Sequence, residues 1–392
     1  MGNFFSNSAQ WLQLLSVGWL VRHLTMDSSS SALLVVSVGG MSTLPGLVVG
    51  PFGGVLGDRI DRRKLVIGFQ TFMAVFAFLF AIRVGNQLVT VWHAFIYVIV
   101  SGTALSFTQP MRQALIANTV PRESLSNAYA TNVVTIPGTR MIGPFIGGIM
   151  ITTLGFFWNF TFEAALYAGT VLMLLPMRTP YAFVRKKTAE TPSMLADLIE
   201  GVRYMWRGDR VLVKLFFLML IPNALLQPVM FMLPVFTSEV LRRGADVGGF
   251  FLAVNGFGGF LAALVLASFG FGRYKGKILL VTAIISSGFA VLLAYSFWLP
   301  VAFLVIGFYA ASQTIFRTTN GALVQLLVTD EFRGRITSFQ RYGQGFVVIT
   351  SFIVGWFAGL TSVSIALATI GVIGLITSIT VYFTSRTIAA LE

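Results

Sequence analysis

The chain has 392 residues, of which 56% are hydrophobic and only 10% charged, with a mean hydropathy of +0.83. A soluble protein of this size would be about a quarter charged, so a set of soluble domains is excluded. The net charge of +13 suggests nucleic acid, but the basic residues fall mostly in alternate short loops and form no basic face. With no Cys, disulfides, thiol nucleophiles and thiolate metal sites are excluded too, and His23 and His93, each near a predicted helix end, build no metal cluster.

A bilayer core needs roughly 20 apolar residues per helix. Twelve such runs read along the chain, at 4–24, 32–55, 65–83, 89–109, 126–154, 158–177, 211–236, 247–269, 278–297, 300–326, 337–359 and 363–384. They are continuous rather than alternating, which favours helices over a β-barrel. The expected fold is an all-α polytopic membrane protein with twelve transmembrane helices. No basic residue precedes the first run and no small-residue cleavage site follows it, so it reads as a span rather than a cleaved signal. It begins almost at Met1, which suggests a misassigned start or a missing first turn.

Arg59, Arg62, Arg63, Lys64, Arg122, Arg185, Lys186, Lys187, Lys275 and Lys277 all fall on one side of this topology, and Arg22, Arg83, Arg242 and Arg243 on the other. The positive-inside rule makes the richer side cytoplasmic, with both termini there. The polar stretch 178–210 carries Leu195, Leu198, Ile199, Val202, Met205 and Trp206 at helical spacing. It reads as an amphipathic helix, lying on the membrane surface or packed on the ends of the bundle. The expected domains are 1–177, a linker at 178–210, and 211–392. An internal repeat supports the halves: Ala114-Leu115-Ile116 aligns with Ala322-Leu323-Val324, and Gly57–Lys64 with Gly270–Lys277.

Three motifs carry the functional expectation. Gly54-Val55-Leu56-Gly57-Asp58-Arg59-Ile60-Asp61-Arg62-Arg63-Lys64 joins spans two and three, with six charges in its last seven residues. Gly143-Pro144-Phe145-Ile146-Gly147-Gly148 lies in span five. Pro110-Met111-Arg112-Gln113-Ala114-Leu115-Ile116, Val120-Pro121-Arg122-Glu123 and Leu233-Pro234-Val235-Phe236 complete the set. Together they resemble the major facilitator superfamily, in the branch that holds enterobactin exporters and macrolide-efflux proteins. The likeness implies two pseudo-symmetric six-helix bundles with substrate bound between them.

It also implies that Gly54, Asp58, Arg59, Asp61, Arg62, Arg63 and Lys64 form a cytoplasmic gating loop, with Asp58 as its central acid. Asp61 departs from the family pattern, which usually has Gly there. Gly143, Pro144, Gly147 and Gly148 resemble an antiporter hinge and seal. Another antiporter feature is missing: Val98-Ile99-Val100-Ser101-Gly102 holds no Arg.

Ionisable groups in lipid are expensive and so start as functional candidates. Arg140 could hold an anionic or carbonyl-rich substrate, relay protons through a partner acid, or bind helix-end carbonyls. Arg112, Arg317 and Arg341 read as inner-gate residues. Glu163, near one end of span six, reads as an interfacial anchor. Asn7, Gln10, Gln13, Asn132, Asn223, Gln227, Asn255 and Gln313 mark helices that would line a polar cavity. Pro222, Pro228 and Pro234 should bend span seven.

The reading is a secondary exporter of amphipathic small molecules, drug-like or siderophore-like, driven by protons and working as a monomer in a bacterial inner membrane. A transporter of lysolipids or another dedicated metabolite is the alternative, and a non-transporting sensor or scaffold a remote one. No cofactor and no nucleic acid is expected, and no constellation for enzymatic chemistry is seen.

Overall fold

The computed structural model describes residues 2–49, 61–177, 180, 210–270, 274–328 and 345–391. A helix meets each of the twelve expected spans. They are α1 (Gly2–Leu24), α2 (Ser31–Met41) with α3 (Leu44–Val48), α4 (Arg62–Gly85), α5 (Val91–Thr119), α6 (Leu125–Thr153) and α7 (Phe156–Leu174). The second half has α8 (Arg210–Leu220) with α9 (Pro228–Val235), α10 (Ala245–Phe269), α11 (Lys275–Ala294), α12 (Leu299–Leu327), α13 (Phe346–Leu360) and α14 (Val363–Thr384), then the short α15 (Arg386–Ala389). Among the described residues eight stretches are long and apolar enough to cross a bilayer by length and composition, and α13 is a shorter apolar helix. The others, α1, α6 and α7, are long enough as well, but Asn, Gln, Ser and Thr dilute their apolar character.

Local chemistry sets the ends. Asp61 precedes α4 and accepts the backbone N–H groups of Arg63 at 2.9 Å and Lys64 at 3.3 Å, so the residue that departs from the family pattern is a helix cap. Thr90 and His93 form a reciprocal capping box on α5. Gly155 turns α6 into α7 at φ +84°, a conformation that a Cβ would strain. Span seven bends as its prolines predict, through two π turns, Ile221–Leu225 and Phe236–Val240, on either side of α9. Span four runs ten residues further than its apolar stretch, through Pro110 to Thr119.

Packing repeats across the halves: α4 lies along α7 as α11 lies along α14. The halves meet on two sides, where α6 packs on α10 and α2 on α13. Small residues permit this contact in lipid, where close van der Waals approach drives helix association. A Cβ on Gly148 would sit 2.5 Å from the Ala245 carbonyl, and one on Gly249 would sit 2.5 Å from the Pro144 carbonyl. We call the end with Gly2, Arg62 and Lys275 the basic end, and the opposite one the far end.

Candidate functional site

A cavity of about 350 Å³ lies between the halves. From the first half it takes Gln10, Trp11, Gln13, Val35, Gly39, Gln70, Met73, Ser101, Gln109 and Tyr167; from the second, Gln227, Met230, Phe231, Gly248 and Leu252. An apolar, aromatic lining with a few amides suits an amphipathic molecule. A small polar annex of about 20 Å³ adjoins it, sharing Gln227 and Met230, and is completed by Arg140, Asn255, Tyr309, Ala310, Gln313, Thr314 and Arg317.

The annex is built from three helices and a break. Arg140 lies about 22 Å along α6 at 1.5 Å per residue. It donates a short hydrogen bond to Asn255 Oδ1 on α10, and its guanidinium sits 4.8 Å over the Trp11 ring. That geometry is a cation–π contact. Arg317 Nη2 donates to Gln227 Oε1 at 2.7 Å, at the point where span seven breaks. Tyr309 donates to the Leu226 carbonyl at 2.7 Å, and Gln313 Nε2 donates to Tyr309 Oη at 3.3 Å.

The far end is closed across the halves. Arg22, at the end of α1, donates to Ser238 Oγ at 2.9 Å and pairs with Glu239 Oε1 at 3.1 Å, both in the second π turn. It also donates to Ser31 Oγ at 2.7 Å, drawing in the start of α2. Behind it, Gly18 admits Pro234 and Gly248 admits Trp19. From sequence Arg22 was only one of the few charges on the poorer side.

The proposed site residues separate into groups. Gln10 and Gln13 line the large cavity, Arg140, Asn255 and Gln313 the annex, and Gln227 both. Asn223 sits half-buried in the first π turn and lines neither. Asn7 and Asn132 are used inside the first half: Asn7 Oδ1 accepts from Arg112 Nη2 at 2.7 Å, and Asn132 Oδ1 accepts from Asn3 at 2.8 Å. Arg112 is therefore buried within one half, beside a separate cavity of about 210 Å³ that Asn132 also lines. Arg317 is ten residues from the end of α12, about 15 Å in, and not at its tip. Of the loop between spans two and three, Arg63 donates through Nε to the Leu174 carbonyl at 2.9 Å and through Nη2 to that of Leu175. It thus satisfies open carbonyls at the C-terminus of α7. Gly54, Asp58, Arg59, Arg341 and the linker helix at 195–206 lie outside the described residues.

Glu163 is not an interfacial anchor. It is fully buried, and Tyr97 Oη donates to its Oε1 at 2.8 Å. Tyr97 is held by stacking on Phe80, with ring centroids 4.2 Å apart, and by an edge contact with Phe160. The misreading came from counting residues to the helix end, which gives depth but not the face that a neighbouring helix covers. Sequence reasoning also passed over Gln70, which donates to Ser6, and Asn159, which receives Ser16 and donates to the Gly147 carbonyl at 3.0 Å. Their signal was available: Gln70 is an amide in a largely apolar span, and Asn159 stands four residues before Glu163, on the same face. In span five, Gly143 and Gly147 face α1, whereas Gly148 faces α10 across the interface.

Comparison with known proteins gives the family and the fold. A family model described as "Transmembrane secretion effector" matches residues 1–390. The chain is similar to the staphyloferrin A transporter of Staphylococcus aureus (strain NCTC 8325 / PS 47), with 22% identity covering 98% of this chain and 96% of the relative. It is similar to macrolide efflux protein A of Enterococcus faecalis, with 24% identity covering 78% and 94%. Its likeness to the enterobactin exporter of Escherichia coli O1:K1 / APEC is 29% identity over about half of each chain, 50% and 47%. Among solved structures, a POT family transporter superposes with a TM-score of 0.78 at 11% identity, covering 99% of this chain and 96% of the other. At that identity the match speaks for the fold alone, the major facilitator fold.

Proposed function

We infer the function from one premise: the chain belongs to the transmembrane secretion effector family of major facilitator transporters. It is an integral membrane transporter and not an enzyme, as its family and relatives are. The reading that fits best is a secondary exporter of amphipathic small molecules. The observation that carries it is the cavity of about 350 Å³ lined from both halves, within the size range of small-molecule sites. Relatives named for efflux of macrolides and export of enterobactin support the direction.

The basic end faces the cytoplasm of a bacterium, with both termini there; the asymmetry of Lys and Arg supports this. Transport proceeds by rocking the halves around the cavity. The Arg22 tie and the Gly148 contact with α10 close the far side. On the near side Asp58 and Arg59 act as the gate, on a loop whose end is fixed by the Asp61 cap and the Arg63 bonds to α7. Gly143, Pro144, Gly147 and Gly148 let α6 serve as both hinge and seal. Protons drive the cycle. Glu163 is the acid placed to carry them, because it lies within a span and is fully buried beside the cavity residue Tyr167, four residues on along α7. The protein works as a monomer.

The test is accumulation of dyes, macrolides and catecholate siderophores in pump-deficient cells, comparing wild type with Asp58→Asn, with and without a protonophore. Lower accumulation in wild type only, abolished by the protonophore, is expected. Equal accumulation throughout, with both proteins present in the membrane, would sink the export reading.

A further inference from the structure

We propose that Arg140 and Arg317 form an anion subsite at the wall of the cavity, taking a carboxylate of the transported molecule. This rests on the transport reading above and adds a substrate class to it. The two guanidinium groups come from different halves and line one annex. Among the described residues the one ion pair is Arg22 with Glu239, far from here, so neither cation has a carboxylate partner. Arg317 is exposed, and Arg140 is half-buried with its Nε fully enclosed. Two unneutralised cations on one small annex repel each other, and a ligand that brings negative charge removes that cost.

The hydrogen-bond inventory points the same way. Each guanidinium has five donors. The structure gives Arg140 one amide oxygen, on Asn255, and Arg317 one, on Gln227. Arg140 Nε and Asn255 Nδ2 are buried without an acceptor, against one buried oxygen without a donor, Gln313 Oε1. The annex thus holds donors in excess, fixed by the Trp11 ring on one side and by the break in span seven on the other. Guanidinium forks match a planar carboxylate two bonds at a time. The annex, at about 20 Å³, admits one small polar group, while the adjoining cavity takes the apolar remainder. Because the arginines belong to opposite halves, a bound carboxylate draws the halves together at mid-depth, and occupancy is coupled to closure.

The probes are 2-naphthoate and its neutral methyl ester, titrated against purified protein in lipid nanodiscs. Wild type is compared with Arg140→Gln, Arg317→Gln and the two Arg→Lys variants, each shown to be monodisperse. The acid should bind wild type at least about tenfold more tightly than either Gln variant binds it, since one charged hydrogen bond is worth roughly that factor. Ester binding should be the same in all five proteins, and the Lys variants should fall between. The subsite is overturned if the acid does not bind wild type, if acid and ester bind alike, or if the Gln variants keep full acid affinity. The cell assay separates the two readings. Export of neutral compounds with no acid preference removes the subsite alone, whereas acid-selective binding with nothing exported removes the transport reading alone.

Discussion

Tyr97 on α5 and Glu163 on α7 meet through a 2.8 Å hydrogen bond between two fully buried side chains. The bond ties two helices of the first half inside the protein. A gradient-driven cycle that passes its proton through Glu163 needs the carboxyl itself, whereas packing needs only its shape. Glu163→Gln keeps an acceptor for Tyr97, so the protein should fold and reach the membrane. Export by Glu163→Gln should no longer respond to a protonophore. Unchanged protonophore sensitivity in this variant would assign Glu163 to structure.

Tyr97→Phe removes the donor and leaves the ring stack on Phe80 in place. Losing one partner of a buried hydrogen bond costs about 1–3 kcal/mol. The thermal midpoint in detergent should fall for Tyr97→Phe, while the surface variant Trp92→Phe, at an exposed position, should not move it.

The contact between α6 and α10 leaves no room at Gly148. Gly148→Val should destabilise the protein by about 1–3 kcal/mol, the usual cost of overfilling a packed site. Gly138, which has nothing within 4 Å of a Cβ, is the control on the same helix. Equal melting behaviour of Gly148→Val and Gly138→Ala would contradict the close interface.

Arg22 links α1, α2 and the end of span seven at the far end. Its partner Glu239 is partly exposed, so the ion pair itself contributes modestly, roughly 0.2–1 kcal/mol. Arg22→Gln should therefore open the far side a few-fold more often rather than unfold it. The chain has no Cys, so Val35→Cys in the cavity wall provides a single labelling site. Its reaction with a membrane-impermeant maleimide added from outside should speed up in the Arg22→Gln background. An unchanged rate would show that Arg22 does not hold that end shut.

Asp61 caps α4. Asp61→Ala should cost about 1 kcal/mol of stability, and Asp61→Asn much less, because the amide oxygen still accepts. If Asp61→Ala melted with wild type, the cap would carry no stability here.

The twelve spans, their helical nature and the family are legible in the amino-acid sequence. These depend on apolar run length and on charge placed in loops, and both are local properties that a bilayer reads one segment at a time. The prolines of span seven likewise announced its breaks, because a missing N–H and a clashing ring act within a single turn.

Tertiary structure alone decided which polar side chains meet. Asn7 and Asn132 carry the same signal as Gln10 and Gln13, yet the first pair bonds within one half and the second lines the cavity. Arg317 and Arg140 lie 177 positions apart in the chain and share an annex only because the α12 face and the α6 face converge beside the break at Gln227. Counted along α7, Glu163 is an anchor; α5, lying over it, makes it the buried partner of Tyr97. Depth in a membrane follows from counting along one helix; partnership follows from the rotation of that helix against its neighbours, which packing of small residues sets and no single segment encodes.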